Sequence, residues 1–168
     1  TAVAAANALG KPVVVYVALV SSVAGANLRH YQFLVEGLGD VAEDLAQRRI
    51  AFVVRKSPDH EFLQFCSEVR PALVIGDENP LRAAERTKRQ TAARLCVPFW
   101  TVDADVIVPS RPLQKEQYAA RTIRPRIHAQ LPHFLRPIHR HVPRHTWTRP
   151  RRLQTLRPDL SLLDGFPV

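Results

Sequence analysis

Residues Pro12 to Val20, Pro-Val-Val-Val-Tyr-Val-Ala-Leu-Val, form a nearly uninterrupted apolar run of strand length, rich in β-branched side chains. Such side chains pack well on a pleated surface, and a run without polar alternation offers no face to water. The strand it predicts is covered on both faces, which favours a parallel sheet between helices.

The rest of the chain keeps that rhythm. Thr1 to Leu9 is Ala-rich and ends at Gly10, a residue suited to the left-handed cap of a helix, with Lys11-Pro12 opening the next element. Leu28 to Arg48 places Leu34, Leu38, Val41 and Leu45 at helical spacing, with Glu36, Asp40, Glu43 and Asp44 on other faces. Ile50 to Arg55 is the next strand, and Ser57-Pro58-Asp59 opens a helix that runs to about Val69. Ala72 to Gly76 is a third strand ending at Asp77-Glu78, Pro80 to Leu95 a charged helix, and Val97 to Val108 a fourth strand region, bent where Asp103 and Asp105 interrupt it. Alternation of this kind predicts an α/β fold: a Rossmann-like open parallel sheet with flanking helices and right-handed crossovers. The Gly-rich fingerprint of dinucleotide binding is absent. A doubly wound domain normally opens with a strand that becomes central, so a chain opening with a helix is expected to lack its first strand.

At 168 residues there is room for one core. The formal net charge of +9 is unevenly placed: Lys/Arg and Asp/Glu cancel at twelve each from Thr1 to Val108, whereas Pro109 to Val168 holds twelve cations against Glu116, Asp159 and Asp164, with nine of the fourteen prolines. The expected division is a domain over residues 1–135 and a basic, Pro-rich extension over 136–168, disordered beyond about His139 when nothing covers it. Such an extension is either a solvated linker or a segment that lies along a polyanion.

No apolar stretch reaches the roughly 18 to 20 residues of a membrane span, because Pro12 to Val23 is interrupted by Tyr16, Ser21 and Ser22, so a protein with no membrane partner is expected. The opening residues lack the basic flank and cleavage pattern of a secretory signal. Cys66 and Cys96 lie in predicted helices without metal-ligand neighbours and read as buried thiols of a reducing, cytoplasmic setting. His133, His139, His141 and His145 fit no metal-ligand spacing, and neither a nucleophile elbow nor a phosphate loop occurs. No catalytic residue and no metal site are therefore assigned. Asp103 and Asp105 read as turn-forming residues ahead of a carboxylate pair for acid/base work.

Three sets of residues carry candidate binding roles. Arg29-His30-Tyr31 opens the long amphipathic helix, where a basic helix start can hold an anion or simply fix the loop. Asp77, Glu78 and Arg82 follow a predicted parallel strand at its carboxyl end, the usual ligand position in open α/β sheets, although Asp77 can equally cap the helix near Pro80. Lys115, Tyr118, Arg121, Thr122, Arg124 and Arg126 form a basic stretch at helical spacing, read as a docking face, a phosphate contact or a solvated face.

Several segments resemble class II DNA photolyases of the photolyase/cryptochrome family. Asn27-Leu28-Arg29-His30-Tyr31-Gln32-Phe33-Leu34 with Glu36-Gly37-Leu38 is similar to the segment after that family's second strand, and Asp77 with Leu81-Arg82 and an Arg-rich helix is similar to its fourth-strand exit. The most specific match is Val102-Asp-Ala-Asp-Val-Ile-Val-Pro109 followed by Lys115-Glu-Gln-Tyr-Ala-Ala-Arg-Thr-Ile-Arg124, the family's valine-rich strand, acidic turn and Lys-x-x-Tyr-x-Ala-Arg-Thr-x-Arg helix. The similarity runs from Thr1 to about Leu135 and weakly on through Trp147 and Pro158-Asp159-Leu160-Ser161.

The resemblance implies a parent protein that repairs cyclobutane pyrimidine dimers in DNA with light. It implies FAD held by a C-terminal helical domain rather than by this chain, and an antenna chromophore, a deazaflavin being one candidate type, held by the α/β domain. On that reading Arg29, His30, Asp77 and Arg82 are antenna candidates, while Lys115, Tyr118, Arg121 and Arg124 pack against the helical domain or meet DNA phosphate. Whether the chain alone retains any enzyme activity is left open, and its own role is limited to antenna binding or domain docking. The alternative is a non-catalytic α/β module whose basic tail binds nucleic acid or a partner protein.

Overall fold

The computed structural model describes residues 1–21, 23, 25–57, 62–113, 115–164 and 166. Two units result, one made of Thr1–Ala72 with His141–Val168 and the other of Leu73–Arg140.

The first unit contains helix α1 (Ala2–Leu9), strand β1 (Val14–Val20), helix α2 (Leu28–Gln47), strand β2 (Ala51–Ser57) and helix α3 (Phe62–Val69). Gly10 closes α1 at φ 62°. The Lys11 N–H donates to Ala6 O at 2.9 Å, the bond that a left-handed residue allows a helix end to make. β1 and β2 pair in parallel from Val14↔Ala51 to Val20↔Ser57. The expected opening of α3 falls partly on Pro58 and Asp59, outside the described residues.

Successive side chains of a strand face opposite sides, and here both sides are packed. Leu19 of β1 and Val54 of β2 join Tyr31, Val35, Leu162 and Phe166 in one buried cluster. Val53 joins Phe65 and Leu153 in another, against Val14, Tyr16, Phe62 and Trp147. The double coverage read from the apolar run is thus present.

Leu153, Leu162 and Phe166 belong to the stretch expected to be disordered, and that expectation is corrected. The physical cause is an edge interaction: the Leu156 N–H donates to Val54 O at 2.9 Å and the Val54 N–H to Thr155 Oγ1 at 3.1 Å, so the returning chain runs along β2. Asp159 then accepts from the Ser161 N–H at 3.0 Å, starting a short 3₁₀ turn, Leu160–Leu163, that packs on α2. Phe166 meets the Tyr31 ring edge-on at 4.6 Å.

The second unit contains strand β3 (Val74–Asp77), helix α4 (Arg82–Arg94), strand β4 (Phe99–Val102) and helix α5 (Ala120–Phe134). β3 and β4 pair in parallel from Val74↔Phe99 to Asp77↔Val102. Gly76 faces the Phe99 ring, and a Cβ there would lie 3.0 Å from Phe99 Cε2, so any larger residue would have to push the ring by a few tenths of an ångström. The fourth strand is shorter than the expected Val97–Val108. The Asp103 carboxylate accepts from the Ser110 N–H at 3.2 Å and turns the chain, leaving Val106 and Ile107 exposed. Parallel strands flanked by helices define the α/β class, and among the described residues they form two two-stranded sheets, β1-β2 and β3-β4.

Two substitutions test whether the returning segment is part of the fold. Leu153→Ala and Leu162→Ala should each cost about 2 to 4 kcal/mol in urea unfolding, as for other buried leucines. A solvated linker would give values within about 0.5 kcal/mol of zero.

Candidate functional site

Arg29 and His30 occupy the first turn of α2, both exposed. The His30 Nδ1 accepts from the Asn27 N–H at 3.2 Å, and the Tyr31 hydroxyl accepts from the Val23 N–H at 3.1 Å. His30 and Tyr31 therefore do the loop-fixing work, closing the turn between β1 and α2. The Arg29 guanidinium has no hydrogen-bond or ion-pair partner among the described residues.

Asp77 is the last residue of β3, with an exposed side chain. It does not cap the next helix. Asn79 Oδ1 accepts from the Leu81 N–H at 3.0 Å, and Leu81 stands at the N-cap of α4, so the turn is made two residues later than the sequence suggested. The Glu78 N–H donates to Val102 O at 2.8 Å and extends the β3-β4 ladder by one bond. Arg82 is the first residue of α4 and is exposed. Arg29 and His30 lie in the first unit and Asp77 and Arg82 in the second, so the structure describes the antenna candidates as two separate pairs.

The basic motif is not helical throughout. α5 begins at Ala120, so Lys115 and Tyr118 precede it, and only Arg121, Thr122, Arg124 and Arg126 ride on the helix. Tyr118 is 91 % exposed. Arg121, Arg124 and His128 fall on one exposed stripe, while Ile123, Ile127 and Phe134 make the half-buried side. Pro125 and Pro132 lie within α5 and deprive the Arg121 and His128 carbonyls of their helical donors. Lys115, Arg111, Ser110 and Ile123 line an open cleft of about 420 Å³ with Leu113, Glu116 and Gln117.

One polar cluster escaped the sequence reading. Arg55 of β2 is 2 % exposed. Both its terminal nitrogens donate to the Glu68 carboxylate of α3, and its Nε donates to Gln154 O at 3.1 Å. The Phe65 ring lies 5.4 Å from the guanidinium carbon. The available signal was a cation inside the apolar run Ile50 to Arg55. Nearby, burial raises the Tyr16 hydroxyl above its ordinary value despite the opposing charge of Arg55. Burial likewise pushes the Cys66 thiol up to about 11. Of the two cysteines expected to be buried, Cys66 is and Cys96 is not, because Cys96 follows α4 in the connection to β4 rather than lying inside a helix. Among the described residues no group of His, Cys, Asp and Glu could hold a metal ion, and no helix is long and apolar enough to cross a membrane.

A family profile described as DNA photolyase matches residues 1–145. The chain belongs to the DNA photolyase family. The deoxyribodipyrimidine photo-lyase of Methanothermobacter thermautotrophicus is 36 % identical over 168 residues, covering 99 % of this chain and 34 % of that protein. The enzyme of the same name from Potorous tridactylus is 38 % identical over 122 residues, 66 % of this chain and 22 % of that protein. That from Arabidopsis thaliana is 30 % identical over 138 residues, 80 % of this chain and 28 % of that protein. The photolyase-family chain thus spans about a third or less of the length of these curated relatives.

The two thiols should react very differently. Iodoacetamide at pH 8 should alkylate Cys96 and leave Cys66 intact in the folded chain, as read by peptide mass spectrometry. Since the unfolded Cys66 thiol ionises at its ordinary value of 9.0 and the folded one only near 11, its contribution to stability is complete below pH 9 and is lost as the pH rises to 11. Cys66→Ala should flatten that part of the stability profile, and an unchanged slope would contradict the assignment.

Proposed function

We propose that this chain is the α/β part of a class II photolyase whose complete protein repairs cyclobutane pyrimidine dimers in DNA with light. The observation that carries this reading is similarity to a deoxyribodipyrimidine photo-lyase over 99 % of the chain. The match of Lys115 to Arg124 to the class II motif supports the finer assignment.

FAD, on this reading, is held by a C-terminal helical domain that follows residues 136–168, and supplies the electron for dimer cleavage there. Residues 1–135 supply the antenna domain. Arg29 suits an anionic or carbonyl edge of a deazaflavin-type chromophore because its donors are free, whereas His30 suits it less well because its Nδ1 already accepts the Asn27 N–H. Asp77, with no hydrogen-bond or ion-pair partner among the described residues, offers an acceptor, and Arg82, at the start of the following helix, offers donors. Tyr118, exposed just ahead of α5, and Arg121 and Arg124, exposed on it, offer an aromatic and two guanidinium groups to the helical domain, as interface anchors do, and Lys115 adds a cation from the neighbouring cleft.

Titration of the purified chain with a deazaflavin, followed by its absorption and by equilibrium dialysis, tests the antenna role. Arg29→Ala and Arg82→Ala, measured separately, should each weaken retention about tenfold, the size of a lost charged hydrogen bond. No retention by a folded wild-type chain would refute the antenna role and leave the non-catalytic module as the better account.

A further inference from the structure

The second unit holds twelve Lys and Arg against six Asp and Glu. Part of that excess is arranged as a row on α4. At 100° per residue, Arg82, Arg86 and Arg89 fall within about 60° of arc, with rises of about 6 and 4.5 Å between them. All three are exposed, and Arg89 is 83 % so. The single acid of the helix, Glu85, is taken by Lys88 on the half-buried side, with Arg89 at 3.9 Å. Arg82 and Arg86 have no acidic partner among the described residues.

This row works against the helix that carries it. Like charges four residues apart repel, and a cation in the first turn opposes the helix dipole. No residue of α4 is fully buried, so the row does not assist packing either. Positions that break local rules without a folding gain are where function is expected. The neighbouring exposed side chains are Ala83, Thr87, Gln90 and Ala93, with Leu81 at the N-cap beyond the end of the row. A protein partner would need an aromatic or large apolar anchor within the row, and among these side chains only the terminal Leu81 is large and apolar. Guanidinium groups in line, only Arg89 of them within reach of an acid (Glu85, 3.9 Å), suit repeated phosphates, which they bind in bidentate fashion.

We propose that the exposed face of α4 binds the phosphate backbone of duplex DNA through Arg82, Arg86 and Arg89, without reading base sequence. The contact needs no light, flavin or lesion, so it stands or falls separately from the photochemical reading. Arg82 is also an antenna candidate, and the test leaves it in place.

The experiment is fluorescence anisotropy of an undamaged, mixed-sequence duplex of about 25 base pairs with the full chain, from about 50 to 200 mM salt. The double variant R86E/R89E should bind at least tenfold more weakly at the low end and lose about two from its salt slope. R149E/R151E, with the same net charge, should stay within about threefold of wild type. Equal losses in both variants would show diffuse net-charge attraction and overturn the proposal. So would wild-type affinity in R86E/R89E, absence of binding by the wild-type chain, or equally tight binding of polyglutamate. If circular dichroism shows R86E/R89E unfolded, R86Q/R89Q replaces it, and an unchanged salt slope there overturns the proposal.

Discussion

The first unit depends on how a single buried cation is compensated. Desolvating an isolated guanidinium is prohibitive, so Arg55 can sit inside the sheet only where partners reach it. They arrive from two directions: the Glu68 carboxylate from α3 and the Gln154 carbonyl from the returning chain. Three segments far apart in sequence are thereby tied to one side chain. The pair also constrains register. A slip of β2 by one residue would move Arg55 to the opposite face, among Leu19, Val35 and Leu162, and away from Glu68. The alternation of Val53 and Arg55 toward one cluster, and of Val54 and Lys56 toward the other, is thus enforced by charge as well as by apolar burial.

What the sequence revealed follows from the range of the forces involved. The run Pro12 to Val20 and the glycine at position 10 are local signals, and the elements they specify are present; the helix expected from Leu34, Leu38, Val41 and Leu45 is present too, but the face it buries is Tyr31, Val35 and Leu38, and Leu34 and Val41 are exposed. The ends of elements were less legible because neighbouring residues compete for the same turn. Asn79 rather than Asp77 serves the turn before α4, and Asp103 turns the chain before the apolar Val106 and Ile107 can extend β4. The motif around Lys115 was recognisable as a pattern, yet its first two members lie outside the helix the spacing implied. Least legible was the packing of residues 141–164, because hydrogen bonds join Thr155 and Leu156 to Val54, about a hundred positions away. A proline-rich basic stretch looks solvated until its strand partner is known.

Family membership and site assignment rest on different grounds. Identity spread over nearly the whole chain establishes the family. It does not single out side chains, and the structure separates those that the local fold already uses from those it leaves free. His30, Tyr31, Asn79, Asp103 and Asp159 all have bonds that close a turn. Arg29, Asp77 and Arg82 have none among the described residues, and a ligand would displace no structural bond in reaching them.

The same separation clarifies the basic character of the chain. Arg55, Lys56 and Lys88 are engaged with protein groups: Arg55 with Glu68, Lys56 with Asp164 O at 2.8 Å and the Phe166 ring, and Lys88 with Glu85. These cations position the chain. Arg82 and Arg86 of α4, and Arg121 and Arg124 of α5, stand instead on exposed helix faces, at spacings where they repel each other. A charge excess that the fold tolerates but does not use is a property of the surface, and its meaning has to be sought in what that surface meets.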